Sequence, residues 1–131
     1  MERKRIETVA PIGESMNDCI FCKIISGQLL CEKLGETQNV FAFSDIQPQA
    51  PLHALLISKE HVASLNNLTP QKRREILPEM YDLADQIVQD KGLRERGYRT
   101  VINNQKEGGQ VVFHLHMHVL AGAKLRGHIG A

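Results

Sequence analysis

The stretch Phe113-His114-Leu115-His116-Met117-His118-Val119-Leu120 decides how the chain is read. Three histidines alternate with apolar residues. Side chains of an extended chain change face at every residue, so the pattern predicts a strand with His114, His116 and His118 on one face and Leu115, Met117 and Val119 on the other. Wound as a helix, the run would scatter both kinds around the circumference. Neighbouring imidazoles in the row are expected about 6–7 Å apart along the strand, close enough for adjacent members to touch one phosphate-sized group.

Just before the row lies Lys106-Glu107-Gly108-Gly109-Gln110. Two glycines let backbone N–H groups approach an anion, and Gln110 can donate from its side chain. Further upstream, residues 29–34, 40–43, 53–58 and 98–103 read as strands. Short Gly/Asp/Pro loops between them suggest an antiparallel meander. Thr69-Pro70 marks a helix start, with helical spacing of Ile76, Met80, Leu83, Ala84, Ile87 and Val88 and a stop at Lys91-Gly92. Pro78 predicts a kink or restart within it. A short helix over residues 19–25 is expected, capped by Asp18 and ended by Ser26-Gly27, with Phe21, Ile24 and Ile25 inward. The expected class is α+β: one five-stranded antiparallel sheet, one long helix and one short helix.

The chain has 131 residues, 42% hydrophobic and 24% charged, with a net charge of +1. That predicts one globular domain and gives no reason to expect a nucleic-acid partner; any anion site must be local. No apolar run approaches the ~20 residues of a membrane span, and no apolar segment follows the charged start, so neither a membrane partner nor a signal peptide is expected. Residues 1–16 read as a flexible arm and 17–131 as the domain. Cys19, Cys22 and Cys31 are an odd count that includes a Cys-x-x-Cys, which fits a reducing, cytoplasmic setting.

Three groups of residues carry chemistry. If His116 donates one ring N–H to a backbone carbonyl, its other nitrogen is a nucleophile near neutral pH, and His118 can hold a phosphoryl oxygen. Asp45, in a Phe-Ser-Asp-Ile loop, suits a ribose diol or simply its own turn. Phe21, Ile24, Phe43 and Ile46 could wall a base pocket or be plain core. Cys19 and Cys22, with His61 and one histidine of the row, could form a Cys₂His₂ zinc site, or the two cysteines could be ordinary thiols.

Taken together, Phe113 to Leu120, the Cys19–Ile25 segment, Phe41 to Ile46, Pro48 to Pro51, His53, Lys59 to Val62, Asn103 and Gly108 to Gln110 resemble the histidine triad (HIT) superfamily. The resemblance covers residues 17 to about 122 and is nearest the Hint-like branch of nucleoside phosphoramidases, in the microbial form with Cys-x-x-Cys. It implies a homodimer with a continuous ten-stranded sheet. It also implies a hydrolase or transferase that cleaves a purine nucleoside monophosphate from its leaving group through a nucleotidyl-histidine. By resemblance His116 is the nucleophile, His118 a phosphate partner, and His114 and His53 an orienting relay behind His116. Asn103, Gly109 and Gln110 correspond to phosphate or leaving-group contacts, Asp45 to the ribose ligand, and Phe21, Ile24, Phe43 and Ile46 to the base pocket. A structural zinc would sit on Cys19, Cys22, His61 and His114, and the chemistry itself needs no metal.

Two positions depart from the pattern. Val111 stands where the family commonly has Ser or Thr, at the nucleotide site, and the loss of such a donor costs about 2.7–4 kcal/mol of transition-state stabilisation. The tail, Ala123-Lys124-Leu125-Arg126-Gly127-His128, lacks the aromatic end of close Hint proteins. Other readings are a dinucleoside polyphosphate hydrolase, a nucleotide-binding regulator with little turnover, and a hydrolase with a catalytic zinc on His114 and His116.

Overall fold

The computed structural model describes residues 18–127. The expected arm, 1–16, and the end of the tail, 128–131, lie outside the described residues. The elements run α1 (Ile20–Ile25), β1 (Lys33–Glu36), β2 (Val40–Ser44), β3 (Leu52–Ser58), α2 (Pro70–Asp90), β4 (Tyr98–Val101) and β5 (His116–Ala121), with 3₁₀ turns at Leu65–Asn67 and Arg94–Arg96. The sheet is antiparallel throughout, in the order β1-β2-β3-β5-β4. The α+β class and the strand count match the sequence reading.

The meander holds only for β1 to β3. After β3 the chain crosses through α2 to the far edge, and β5 returns to fill the gap between β3 and β4. The physical reason lies in the side chains. β5 is buried at His116, Met117, Val119 and Ala121, so it needs a neighbour on each side and cover on each face. β4, with exposed Tyr98 and half-buried residues after it, suits an edge.

Alternation in β3 serves two cores, and β5 joins one of them. Met117, Val119 and Ala121 lie opposite Leu56, Ala54 and Leu52, and all six are buried in the cluster with Ile76, Met80, Ala84 and Val88 of α2. On the other face Leu55, Ile57 and Phe43 cluster with Cys19, Phe21, Ile24 and Leu29 from the α1 region. Fully burying one large aliphatic side chain is worth about 1.5–3 kcal/mol, so the larger α2 cluster carries more of the hydrophobic stabilisation.

Several local expectations are corrected. The N-cap of α1 is Cys19, whose Sγ accepts the Cys22 N–H at 3.4 Å; Asp18 does not take that position. β1 starts later than expected, because Leu29 donates its N–H to the Lys23 carbonyl and is buried with Phe21 and Ile24. β1 also breaks register between Lys33 and Gly35, where a Cβ on Gly35 would lie 3.1 Å from Leu83 Cδ1 of α2. Thr69 caps α2 as expected, accepting from Lys72 N–H at 3.1 Å. The helix continues past Pro78 without a restart. Pro78 and Arg74 are both exposed, so the carbonyl that the proline cannot bond is on the wet side. No helix among the described residues is long and apolar enough to cross a membrane.

One polar tether escaped the sequence reading. Glu79 of α2 accepts Thr37 Oγ1–H at 2.6 Å and Asn39 N–H at 2.9 Å on Oε1, and Asn39 Nδ2–H at 2.6 Å on Oε2. It thereby ties the long helix to the β1–β2 turn. Burial pushes its carboxyl pKa up, but these hydrogen bonds outweigh burial and hold it below the ordinary 4.5. A depressed carboxyl stabilises the fold above its unfolded pKa and loses that contribution as pH falls through the folded one. Glu79→Ala is expected to cost about 1–2 kcal/mol at pH 7, with part of the charge term screened by water. The difference from wild type should shrink on acidification below the ordinary carboxylate range. Urea melts of both chains at pH 7 and pH 3 check this; an equal gap at both pH values refutes the tether.

Candidate active site

The histidine row is split by the fold. β5 begins at His116, so His114 lies outside it, correcting the expected single strand from Phe113. Residues 112–114 bend, and Leu115 makes the last cross-chain bonds, donating to Val62 and accepting from Ser58. His116 and His118 stay on one face, with ring centroids 5.2 Å apart, beside Ile57 and Leu55 of β3. His114 is fully buried and turned elsewhere.

Hydrogen bonds fix which nitrogen of each ring is bare. His116 Nδ1 is 2.7 Å from the His114 carbonyl oxygen. A carbonyl only accepts, so Nδ1 carries the proton and Nε2 keeps its lone pair. Burial lowers the His116 pKa, and the bond to His114 opposes that without reversing it, so the ring is neutral near pH 7. The ring lies edge-on to Phe21 at 5.2 Å. His114 Nε2 donates to the Ser58 carbonyl at 2.6 Å, which leaves its Nδ1 bare.

That bare nitrogen faces a second cluster. His114 Nδ1 is 3.2 Å from Cys19 Sγ, 3.6 Å from Cys22 Sγ and 3.2 Å from His61 Nδ1, and Cys22 Sγ is 3.2 Å from His61 Nδ1. Four ligands around a tetrahedral zinc would be spaced about 3.3–3.8 Å apart, so the set fits with slight expansion. Without a cation, burial and then Cys19 push the Cys22 thiol up to about 12. A dication reverses that preference and makes thiolates the stable form. Cys19, Cys22, His61 and His114 therefore form a group that can hold a metal ion. The cluster takes the His114 ring away from His116, so the two do not present nitrogens to one metal.

His116 and His118 open onto a cavity of about 370 Å³. Its other walls are Ile20, Phe21, Phe43, Asp45, Ile46, Leu55, Asn103, Gly109, Val111 and Val112. Of the expected site residues, Phe21, Phe43, Asp45, Ile46, Asn103, Gly109 and Val111 are there. Val111 is 84% exposed at its rim.

Two expected residues are placed differently. Ile24 is core, 3% exposed on the inner side of α1; Ile20, one turn back, lines the cavity instead. Gln110 is buried, and its amide braces the loop. Nε2 donates to Ala63 and Val112 carbonyls at 2.6 and 3.1 Å, and Oε1 accepts from Gln105 N–H at 2.8 Å. With both N–H groups committed, its side chain has no donor left for a ligand. Gly108 and Gly109 close that loop. A Cβ on Gly108 would collide with the Asn104 carbonyl, and Gly109 has φ +89°.

The relay is also rearranged. What holds His116 is the His114 carbonyl, with the His114 imidazole turned to the cysteines. His53 lies diagonally across β3–β5 from His118, with Nε2 2.9 Å from His118 Nδ1. Asp45 Oδ2 is 3.4 Å from the same His53 Nε2, while Oδ1 makes its own turn by accepting Gln47 N–H at 2.9 Å. Burial, then His116 and His53, lower the His118 pKa to about 4. Ile20, Leu55 and Val112 were missed. Only the pairing of Leu55 with His118 had a signal in the sequence, through its alternation with His53.

A five-stranded antiparallel sheet that presents two histidines to an apolar cavity, beside a separate Cys/His cluster, defines the histidine-triad class of protein. Residues 26–125 match the HIT domain family, and the chain belongs to it. A histidine triad protein from Clostridium difficile superimposes with a TM-score of 0.81 at 38% identity, covering 86% of this chain and 96% of its own. A HIT family hydrolase from Legionella pneumophila gives 0.78 at 41% identity, covering 82% and 96%. A purine nucleoside phosphoramidase of Escherichia coli is 36% identical over 108 residues, 82% of this chain and 90% of its own.

A metal on the cluster links ligand binding to folding. At free metal about a hundredfold above Kd, linkage adds about 2.7 kcal/mol, so chelation should lower Tm by roughly 10 °C. Native mass spectrometry is expected to find one metal per chain, lost in a Cys19→Ser/His61→Ala variant. An unchanged Tm with chelator and no bound metal would mean the four residues are only packed together.

Proposed function

We propose that this protein is a hydrolase of purine nucleoside phosphoramidates that works through a covalent nucleotidyl-histidine on His116. The observation that carries the reading is the 2.7 Å bond from His116 Nδ1 to the His114 carbonyl, which leaves Nε2 bare on the cavity side of a neutral ring. The similarity to a purine nucleoside phosphoramidase supports the substrate class.

The base lies between Phe21, Phe43 and Ile46, and Asp45 accepts the ribose hydroxyls. His116 Nε2 attacks phosphorus. The N–P bond forms as the bond to the leaving amine breaks, and the amine departs with that electron pair after taking up a proton from solvent, which the later hydrolysis by water gives back. Charge that develops on the His116 ring is held by the Nδ1–H bond to the carbonyl, and His118 faces the phosphoryl oxygens. Water then cleaves the N–P bond, which releases the nucleoside monophosphate and restores the imidazole. Asn103 and Gly109 border the same phosphate region. Zinc is the metal that best suits two thiolates and two imidazoles, and its place here is structural, steadying the residue whose carbonyl holds His116.

The test is to mix the protein with adenosine 5′-phosphoramidate and quench in base, where a phosphohistidine-type bond survives. A mass gain of one nucleotide is expected. His116→Ala should abolish the adduct and lower turnover by roughly 10⁴-fold or more. Nucleotide binding without any adduct would favour a regulator, a reading to which the aliphatic Val111 at the rim lends some weight.

The homodimer belongs to the same reading. β4 is an edge strand, and pairing two copies along it would extend the sheet to ten strands. Sedimentation velocity at micromolar concentration is expected to give the mass of two chains; a single-chain mass overturns the pairing.

A further inference from the structure

Building on that reaction, we propose that His53 is the positioning residue of His118, and that Asp45 couples an occupied ribose diol to the strength of His118 as a donor. The geometry is a chain of hydrogen bonds whose polarity is set at one end. Gln49 N–H points at His53 Nδ1, 3.1 Å away. A backbone N–H only donates, so Nδ1 must be bare and the His53 proton must sit on Nε2. That hydrogen is bonded to His118 Nδ1 at 2.9 Å, and the Asp45 carboxylate stands beside it, with Oδ2 3.4 Å from the same Nε2 as an ion-pair neighbour. Its bond to His118 in turn requires a bare Nδ1 there, which places the His118 proton on Nε2. One peptide N–H, four residues from His53, thereby fixes the tautomers of a buried and a half-buried ring.

The same polarity weighs against a metal at Asp45, His53 and His118, although their ligand atoms lie close together. A metal on His53 Nε2 would displace its proton while Nδ1 still accepts from Gln49, leaving an anionic ring.

The neighbouring carboxylate makes the ribose matter to the chemistry. An imidazole that accepts a bond at one nitrogen becomes a stronger donor at the other. In the free protein the Asp45 charge pulls on the His53 N–H from beside its bond to His118. Two hydroxyls donating to Asp45 disperse that charge and weaken the pull, so the bond from His53 to His118 strengthens. His118 Nε2–H then bonds the phosphoryl oxygens more strongly. Contacts at the sugar are expressed in kcat as well as in binding.

Two measurements test this. In protein labelled with ¹⁵N-histidine, long-range ¹H–¹⁵N correlations are expected to place the protons of both His53 and His118 on Nε2. His53→Ala should give His118 as a mixture of tautomers. His53→Gln, whose amide N–H reaches the same position, should restore the single tautomer. AMP should move the His118 Nδ1 shift toward stronger hydrogen bonding, and 2′,3′-dideoxy-AMP should not. In turnover, the dideoxy analogue of adenosine 5′-phosphoramidate should lose about tenfold in kcat with wild type and nothing with Asp45→Ala. A proton on His118 Nδ1, equal shifts with both nucleotides, or a dideoxy effect confined to KM would overturn the proposal. If neither substrate turns over, the phosphoramidase reading fails, while the tautomer and shift measurements still decide the coupling.

Discussion

The site depends on one hydrogen bond, from His116 Nδ1–H to the carbonyl of His114. It selects the tautomer, aims the bare nitrogen and is ready to hold positive charge on the ring. A carbonyl two residues away on a free chain would be a poor anchor. Here it belongs to a residue whose ring is held at both nitrogens, by the Ser58 carbonyl on one side and the cysteine cluster on the other. The metal-type cluster and the His116 ring are thus joined through the backbone of one residue, and no atom of His116 is needed as a ligand.

Around that bond the sheet acts as a rigid mount. β5 is paired on both sides; one face packs against α2, and on the other His116 lies edge-on to Phe21 of α1 beside the cavity. Such a strand has little freedom to shift, because a one-residue slip would carry Met117 and Val119 out of the α2 core. The same face-switching that buries those two residues raises His116 and His118 toward the cavity. The core and the cavity wall therefore use alternate residues of a single strand.

The cavity is mostly apolar, with its polar groups gathered at Asp45, Asn103 and the two histidines. That division suits a ligand with a flat apolar part and a charged end. Burial keeps His116, His118 and His53 neutral, so the pocket can offer a bare nitrogen and ring donors together near pH 7. The loop before β5 supports this from behind. Gln110 spends its amide on Ala63, Val112 and Gln105, and Gly109 turns the backbone toward the cavity.

Local patterns in the sequence already determined much. Alternation from Phe113 to Leu120 specified a strand with three histidines on one face, of which two stay in β5; Thr69-Pro70 and Lys91-Gly92 bounded α2, and Cys19-x-x-Cys22 with His61 offered a ligand set beside the reading as plain thiols. Each is a short-range signal: side-chain periodicity, a cap, a spacing. Tertiary structure alone decided that β5 inserts between β3 and β4, that the strand starts only at His116, and that His53 reaches His118. It also placed Ile20 in the cavity, Ile24 in the core and Gln110 in a brace. The reason is physical. Those outcomes rest on backbone carbonyls and N–H groups of Ser58, Gln49, Ala63 and His114, which every residue type carries alike, and which acquire partners only when distant strands come together.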